Sequence, residues 1–400
     1  MNNVGAVRVA AAALLMVAAL FGGAPTAGAA APAWSGLDAR GFDGAVPAPG
    51  RLLDTVTLDP ALSVAGAADA YRILYSTIDQ HDRPAVSTAV VFTPKSPPPQ
   101  GGWPVVAWAH GTVGLGDDCT PSALPRSERD DEYLTHWLDQ GYAVVGSDYA
   151  GLGTPGLMSY LNSVTTARGV VDSVLAAHDM PLDLSPKWVV VGQSQGGGAA
   201  VATARWATEF SAEPEAGAAL DYRGVVATGT PANVETIVKQ AGPAMAVPPA
   251  LGPMASAYTA YIVAALRDAR PDLDLNRVLT REGRAAADEA EVRCAADLAA
   301  TLDGVSVPSF FSAPLTSIPG AAEGIDAFMG VPASGYDRPV FLGVGLQDRD
   351  VPPELTLRFA DALTANGQDV TLKVYPDADH SGTVLDSIPD STGFVARVLS

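Results

Sequence analysis

The stretch WVVVGQSQGGGAA, residues 188–200, decides the fold that we predict for this chain. Its first four residues are apolar and mostly β-branched, which is typical of a fully buried strand. The alanine-rich sequence that follows favours a helix. Between them lies G-x-S-x-G, in which Ser194 stands between Gly192 and Gly196. Strand, motif and helix together predict a nucleophile elbow, a tight turn that exposes the serine hydroxyl. The alternative is a glycine-rich turn whose serine has no role.

A serine hydroxyl becomes a useful nucleophile only when a base takes its proton and an acid orients that base. In α/β-hydrolases the three residues follow in the order serine, acid, histidine. The chain has five histidines, and His380 is the only one after Ser194. We therefore predict His380 as the base. The others are His81, His110, His136 and His178, and we expect His81 to be a solvated residue in a hairpin turn.

The acid should follow a strand between Ser194 and His380. Residues 339–346 form such an apolar run, and Asp348 is the first carboxylate after it. A helix over 353–366 and a strand over 370–375 then lead to the loop that carries His380. We predict Asp348 as the acid and keep Asp350 as the reserve.

A second buried strand, residues 104–109, ends in His110-Gly111-Thr112-Val113. Loops at this place in α/β-hydrolases build half of the oxyanion hole. We predict the backbone N–H of Thr112, or of Val113 one residue on, as the first donor. The N–H of Gln195, directly after the nucleophile, is the second. His110 itself is interpreted as a structural hydrogen-bonding residue under the loop.

Composition excludes several classes of function. The chain has 400 residues, 48% of them hydrophobic, and a formal net charge of −20. So acidic a surface repels nucleic acid and anionic lipid, and no nucleic-acid partner is expected. No ligand motif such as H-E-x-x-H or C-x-x-C occurs, so we expect neither a metal nor a cofactor.

The first 29 residues have the features of a secretory signal peptide. Arg8 precedes an apolar run that ends at Phe21, and small residues follow, with a cleavage site near Ala29. We therefore expect a secreted, extracellular protein. Its two cysteines, Cys119 and Cys294, would then face an oxidising compartment, which favours a disulfide between them. Two free buried thiols are the alternative.

Between a strand at 223–229 and the strand before Asp348 lie about a hundred residues, far more than a crossover needs. We predict an α/β-hydrolase fold with a mostly parallel central sheet flanked by helices. The core comprises 30–230 and 335–400, and 231–334 forms an inserted helical cap or lid. An apolar helix over 256–270, with Tyr258, Tyr261, Ile262, Ala265 and Leu266 on one side, either packs on the core or walls a pocket for an acyl chain. The sequence is compatible with both interpretations of this helix.

The ordered combination of these features resembles the secretory lipases of the Candida antarctica lipase A type. It comprises the leader, G-x-S-x-G, the helical insert, Asp348 followed by Val351-Pro352, and Cys119 in the run DDCTPS, residues 117–122. The resemblance implies hydrolysis of acylglycerols and simpler esters. It also implies Ser194, Asp348 and His380 as the triad, and a bond from Cys119 into the lid. The chain departs from the family at His110-Gly111-Thr112, where the fungal loop carries an acidic residue.

From these observations we predict a secreted serine ester hydrolase, a lipase or carboxylesterase, that forms an acyl-enzyme on Ser194. Its partner is a small-molecule or lipid ester, with transient contact at a lipid–water interface, and the oligomeric state stays open. The alternatives are a polyester or cutin hydrolase, a serine peptidase or amidase, and a non-catalytic binding protein on the same scaffold.

Overall fold

The computed structural model describes residues 31–212, 219–247 and 254–400. The predicted signal peptide lies outside these residues. Nine strands form one sheet: Leu52–Thr57 (β1), Ala67–Ile78 (β2), Pro84–Pro94 (β3), Trp103–Ala109 (β4), Ala143–Ser147 (β5), Leu184–Gln193 (β6), Asp221–Thr228 (β7), Val340–Gly345 (β8) and Val370–Tyr375 (β9).

The helices of the described residues alternate with the later strands and also fill the segment between β7 and β8. Their bounds are Glu128–Asp139 (α1), Ser163–His178 (α2), Gln195–Ser211 (α3), Glu235–Val238 (α4), Ala255–Ala269 (α5), Arg281–Ala290 (α6), Ala295–Thr301 (α7), Ala321–Met329 (α8), Pro353–Ala365 (α9), Gly382–Asp386 (α10) and Ile388–Leu399 (α11). None of these helices is long and apolar enough to cross a membrane.

The strand order is β1-β2-β3-β5-β4-β6-β7-β8-β9. The six strands from β5 to β9 along this order pair in parallel, and β1, β2 and β3 add an antiparallel edge. The predicted mostly parallel sheet and α/β-hydrolase fold class are therefore confirmed. Because parallel strands share one carboxyl edge, the loops after β4, β6, β7, β8 and β9 meet there.

Alternating side chains of β6 explain why both faces of the sheet are covered. Trp188 and Val190 are buried in the core that contains helices α2 and α3. Val189 and Val191 are buried in the opposite core, with side chains of α1 and α11. A strand apolar on both faces needs a layer of helices on each side, so the sheet is sandwiched and the elbow is held at its centre.

Two local predictions differ from the structure. The sequence predicts a helix over residues 133–140. Helix α1 begins five residues earlier, at Glu128, because Ser127 caps it by accepting a hydrogen bond from the N–H of Asp130. Its first turn is acidic, which favours a helix N-terminus but hides the apolar pattern. Strand β1 was not predicted, since it is short and largely exposed.

The segment between β7 and β8 contains helices α4 to α8, at the position of the predicted cap. Pro32–Ser400 packs as one compact unit, so the division into core and cap at 231–334 stays a prediction. A disulfide joins Cys119, after β4, to Cys294, in this segment. The pairing expected from the two cysteines is formed.

Candidate active site

The residue at the elbow has a strained backbone. Ser194 caps α3 with φ 60° and ψ −128°, a region that non-glycine residues rarely adopt. Its N–H donates to the carbonyl of Thr228 on the adjacent β7, over 3.0 Å. A Cβ on Gly192 would lie 2.0 Å from the carbonyl oxygen of Gly196, and one on Gly196 would lie 1.8 Å from that of Ala109. Both glycines are therefore required by close backbone approach.

His380 and Asp348 form a buried pair at the ends of β9 and β8. Nδ1 of His380 lies 2.7 Å from Oδ2 of Asp348, and both residues are less than a tenth exposed. The other oxygen of Asp348 accepts hydrogen bonds from the N–H groups of Asp350 and Val351, over 2.9 and 2.8 Å. The carboxylate is thus fixed by its own loop, and it can orient the imidazole.

Asp350, the reserve candidate, has a different partner. Its Oδ1 accepts a hydrogen bond from the hydroxyl of Tyr258 on α5, over 3.0 Å. Of the two carboxylates, Asp348 is therefore the one that bonds the histidine.

Nε2 of His380 is buried, and no group in the described residues forms a hydrogen bond with it. Ser194 and His380 border one cavity, but their side chains are not hydrogen-bonded to each other. Catalytic hydrogen bonds of serine hydrolases are often loose without substrate. His380 thus keeps one nitrogen without a partner and borders the same cavity as Ser194.

Two residues that sequence reasoning missed hold the histidine loop in place. Gln193, which precedes the nucleophile, donates from Nε2 to the backbone carbonyl of His380 over 3.0 Å. Gly229, after β7, has φ +54°, and a Cβ there would lie 3.0 Å from Cε1 and Nδ1 of His380. For Gly229, the sequence offers one signal of a close contact, a glycine directly after a buried strand. For Gln193, nothing in the sequence indicates a bond to residue 380.

Unused backbone donors surround the nucleophile. In the described part of the chain, the N–H groups of Thr112, Val113 and Gln195 have no hydrogen-bond acceptor. Gln195 opens α3, so its N–H has no acceptor within the helix. The other two lie beside Gly111, where a Cβ would be 3.5 Å from Cβ of Ser194. All three N–H groups thus remain without an acceptor near the elbow.

His110 is buried under this loop, and its Nδ1 lies 2.7 Å from the carbonyl of Gly111. Burial lowers the pKa of His110, because the imidazolium loses its hydration. The side chain of Thr112 pairs with the hydroxyl of Tyr160 over 2.8 Å. These contacts fit a structural role for His110.

The disulfide lies directly beside residues 110–114, the loop that follows β4. The N–H of Ala295 donates to the carbonyl of Val113 over 2.8 Å, and Gly114 forms an isolated β-bridge with Cys294. The segment after β4 and the segment between β7 and β8 are therefore joined by both covalent and backbone bonds.

An apolar cavity, which we name the cap cavity, opens beside Ser194. Its empty volume is about 950 Å³ when the open solvent at its mouth is included. The side chains that line it come mostly from the α4 and α5 regions, among them Val234, Ile237, Val238, Tyr258, Ile262 and Val263, and Phe311, between α7 and α8, adds an aromatic ring. Of the five residues expected on one side of the helix, Tyr258 and Ile262 line the cavity. Tyr261, Ala265 and Leu266 are buried elsewhere in the packing.

A second cavity, which we name the loop cavity, lies on the other side of Ser194. It is bordered by residues 110–113, by residues 124–130 and by His380. Ser194, Tyr258 and Asp350 line both cavities. The nucleophile therefore stands where the two spaces meet.

Asp348, Asp350 and His380 are the described residues whose ligand atoms come together closely enough to hold a metal ion, all within 4.8 Å. Two of these atoms already bond each other, and Asp350 bonds Tyr258. The expectation of no metal and no cofactor stays a prediction.

The expectation that His81 is solvated is wrong. Its Nε2 lies 3.0 Å from Oδ2 of Asp268 on α5, and its side chain is only 27% exposed. The turn between β2 and β3 therefore contacts the segment between β7 and β8.

Two family models match parts of the chain. Residues 126–307 match the secretory lipase family, and residues 327–398 match the prolyl oligopeptidase family. No curated protein sequence matches the chain.

Among solved structures, Candida antarctica lipase A has a TM-score of 0.72 at 19% identity, over 88% of this chain and 82% of that one. The rice cell wall degrading esterase LipA from Xanthomonas oryzae has a TM-score of 0.66 at 20% identity, over 88% and 98%. At such identities the likeness shows the shared fold. Residues 126–307 are thus similar to secretory lipases, and the chain has the α/β-hydrolase fold.

Proposed function

We propose that the chain hydrolyses carboxylic esters with an apolar acyl group, acylglycerols among them, through an acyl-enzyme on Ser194. His380 takes the proton of the Ser194 hydroxyl as the oxygen attacks the ester carbonyl. Asp348 holds the imidazole and stabilises its cationic form. His380 then protonates the leaving alcohol, and a water molecule repeats the sequence to release the acid.

The observation that carries this proposal is the state of the His380 imidazole. One nitrogen is 2.7 Å from Asp348, and the other is buried, unpartnered and beside the cavity that Ser194 borders. A base needs this arrangement, because its orienting bond must leave the second nitrogen free for the nucleophile.

For the tetrahedral intermediate we propose the backbone N–H groups of Thr112 and Gln195 as donors. The neighbouring N–H of Val113 is the alternative to that of Thr112. In the described residues, neither the N–H of Thr112 nor that of Val113 has a hydrogen-bond acceptor. Replacing Thr112 or Val113 by proline removes one N–H at a time, and loss of a donor costs about 10²–10³ in kcat. The variant with the larger loss identifies the donor.

The cap cavity supports an apolar acyl group. Its walls are aliphatic and aromatic, and it reaches the nucleophile. Burial of methylene groups there contributes about 0.8 kcal/mol each. We propose that residues 231–334 form the cap that covers the acyl group of the substrate. We also propose that the enzyme is secreted and works on lipid esters at a lipid–water interface.

The test is hydrolysis of p-nitrophenyl esters, together with labelling by a fluorophosphonate that reacts with activated serines. Ser194→Ala and His380→Ala should each lower kcat by about 10⁶-fold and abolish labelling. Arg397→Gln serves as the control, because Arg397 borders neither cavity. Normal turnover by a folded Ser194→Ala protein would overturn the proposal and leave a binding protein or a different nucleophile.

A serine peptidase is the second candidate, favoured by the prolyl oligopeptidase match over the residues that include Asp348 and His380. Matched p-nitrophenyl esters and peptide p-nitroanilides separate the two. A kcat/KM for the anilides equal to that for the esters would favour the peptidase. A polyester hydrolase would instead degrade polymer films, for which a covered acyl cavity is poorly shaped.

A further inference from the structure

The division of space around Ser194 constrains the alcohol half of the substrate. A reacting ester carbonyl carries two substituents, the acyl chain and the alcohol. The two cavities meet at Ser194, Tyr258 and Asp350. If the acyl chain occupies the cap cavity, the alcohol is therefore directed toward the loop cavity. The chemistry of the loop cavity therefore indicates which alcohol the enzyme accepts.

Most charged side chains that border the loop cavity already have partners. Arg129 bonds Asp130 over 2.7 Å. Asp148 accepts hydrogen bonds from Thr88 and from Ser122, by both its backbone N–H and its hydroxyl. These groups shape the wall and have little capacity left for a ligand.

Arg126 is different. One nitrogen, Nη1, donates to the carbonyl of Leu62, and the guanidinium lies 4.9 Å from the centre of the Phe92 ring. Within the described residues, no carboxylate forms an ion pair with Arg126, and its other N–H groups have no hydrogen-bond acceptor. Because the side chain borders the loop cavity, these donors are available to a ligand there.

The local charge favours a neutral ligand over an anion. Burial lowers the pKa of Arg126, whereas Asp148, Asp130 and Asp131 act in the opposite direction, so its charge is already partly balanced. Asp130, Asp148 and Asp350 border the same cavity and would repel an anion. A hydroxyl group suits this mixed wall, since it accepts from a guanidinium and donates to a carboxylate or a carbonyl.

We propose that the loop cavity binds a hydroxylated alcohol, such as a glycerol or sugar unit, and that Arg126 donates hydrogen bonds to its oxygens. The inference rests on the proposed ester hydrolysis. It makes Arg126 a specificity-determining residue for the leaving alcohol.

The experiment compares esters of one fatty acid that differ only in the alcohol: ethyl, glyceryl, glucosyl and glycerophosphoryl. Arg126→Gln should lower kcat/KM for the glyceryl and glucosyl esters about 10- to 100-fold, the effect of losing hydrogen bonds to a charged donor. The ethyl ester should change less than about twofold, since it has no group for Arg126 to bind. Arg397→Gln is the matched control, because Arg397 lies over Phe394 at 5.2 Å but borders neither cavity.

Equal losses on all four esters would show a structural role for Arg126 and overturn the inference. Preference of the wild type for the glycerophosphoryl ester, lost in Arg126→Gln, would overturn it in favour of an anionic alcohol. Wild-type protein that cleaves none of the esters would instead reject the proposed function itself.

A measurement on the wild type covers the case in which Arg126→Gln does not fold. The acyl-enzyme passes its acyl group to water or to an added alcohol, and the new ester reports which alcohol binds. Glycerol should capture the acyl group more efficiently than 1-propanol at equal concentration. Equal capture by the two alcohols would contradict a polyol site.

Discussion

Gln193 donates a hydrogen bond from its side chain to the backbone carbonyl of His380, across 3.0 Å. The two residues are far apart in the chain. Gln193 directly precedes Ser194, and His380 is the base of the proposed triad. Gln193 is almost completely buried, so this bond is shielded from competition with water. It ties the loop after β9 to the elbow after β6 and makes Gln193 a positioning residue for the base.

Gln193→Met keeps the length of the side chain but removes the donor. We expect kcat to fall about 3- to 10-fold with KM unchanged, because a neutral hydrogen bond contributes about 0.5–1.5 kcal/mol. The rate of fluorophosphonate labelling should fall in proportion. A variant with a lowered Tm but normal kcat would show that the bond only stabilises the fold.

Asp348→Asn should lower kcat by about 10⁴-fold, because an amide can neither hold the correct tautomer nor stabilise the imidazolium. Asp350→Asn is the matched comparison two residues away, and it should keep far more activity, since Asp350 bonds Tyr258 and not His380. Steady-state kinetics on a p-nitrophenyl ester measure both. A larger loss in Asp350→Asn would reverse the two assignments.

Gly229→Ala introduces a Cβ that would lie 3.0 Å from the ring of His380, at φ +54°. Displacement of the imidazole should lower kcat by about 10²-fold. Gly367→Ala is the control, because Gly367 also has positive φ, +73°, but has nothing within 4 Å of the added carbon. Thermal unfolding should show destabilisation in both variants, and kinetics a loss in Gly229→Ala alone. Equal kinetic losses would point to backbone strain.

Ile237→Trp should fill part of the cap cavity. Rates on p-nitrophenyl palmitate should fall about tenfold or more, because each methylene group displaced from the cavity loses about 0.8 kcal/mol of burial, while rates on the acetate stay close to wild type. Val292→Trp is the control in the same segment, because that side chain is 68% exposed. Parallel losses on both esters would place the acyl chain elsewhere.

Cys119→Ala and Cys294→Ala each remove the same disulfide. Either should lower the free energy of unfolding by about 2–4 kcal/mol, because the bond closes a long loop of the unfolded chain. The double variant should unfold at nearly the same denaturant concentration as the singles. Additive losses would mean that the side chains contribute through packing and not through the bond.

The elbow at Ser194, the place of His380 beside Asp348 and the fold class could be predicted because chain order and strand pattern leave few choices. A buried run before G-x-S-x-G fixes the elbow, and the chain offers one histidine beyond Ser194. Asp348 and Asp350 could not be separated so firmly. Both follow the same strand, and the turn of the loop decides which one bonds His380.

Other parts of the site depend on contacts between loops of different strands, which no local pattern encodes. The bond from Gln193 to residue 380 and the close approach of Gly229 belong to this class. The prediction for His81 was wrong for the same reason. A histidine in a polar turn is usually solvated, but here Asp268 of α5 lies over it, and the placement of that segment cannot be read from the turn itself.

The two spaces on either side of Ser194 have different walls and share only Tyr258 and Asp350 besides the nucleophile. A hydrogen bond between Thr112 and Tyr160 joins the two walls, but substitutions away from this pair and from the shared residues should combine additively in their kinetic effects. Preference for the acid and for the alcohol of an ester could then be re-engineered in separate variant libraries and merged afterwards without a further search.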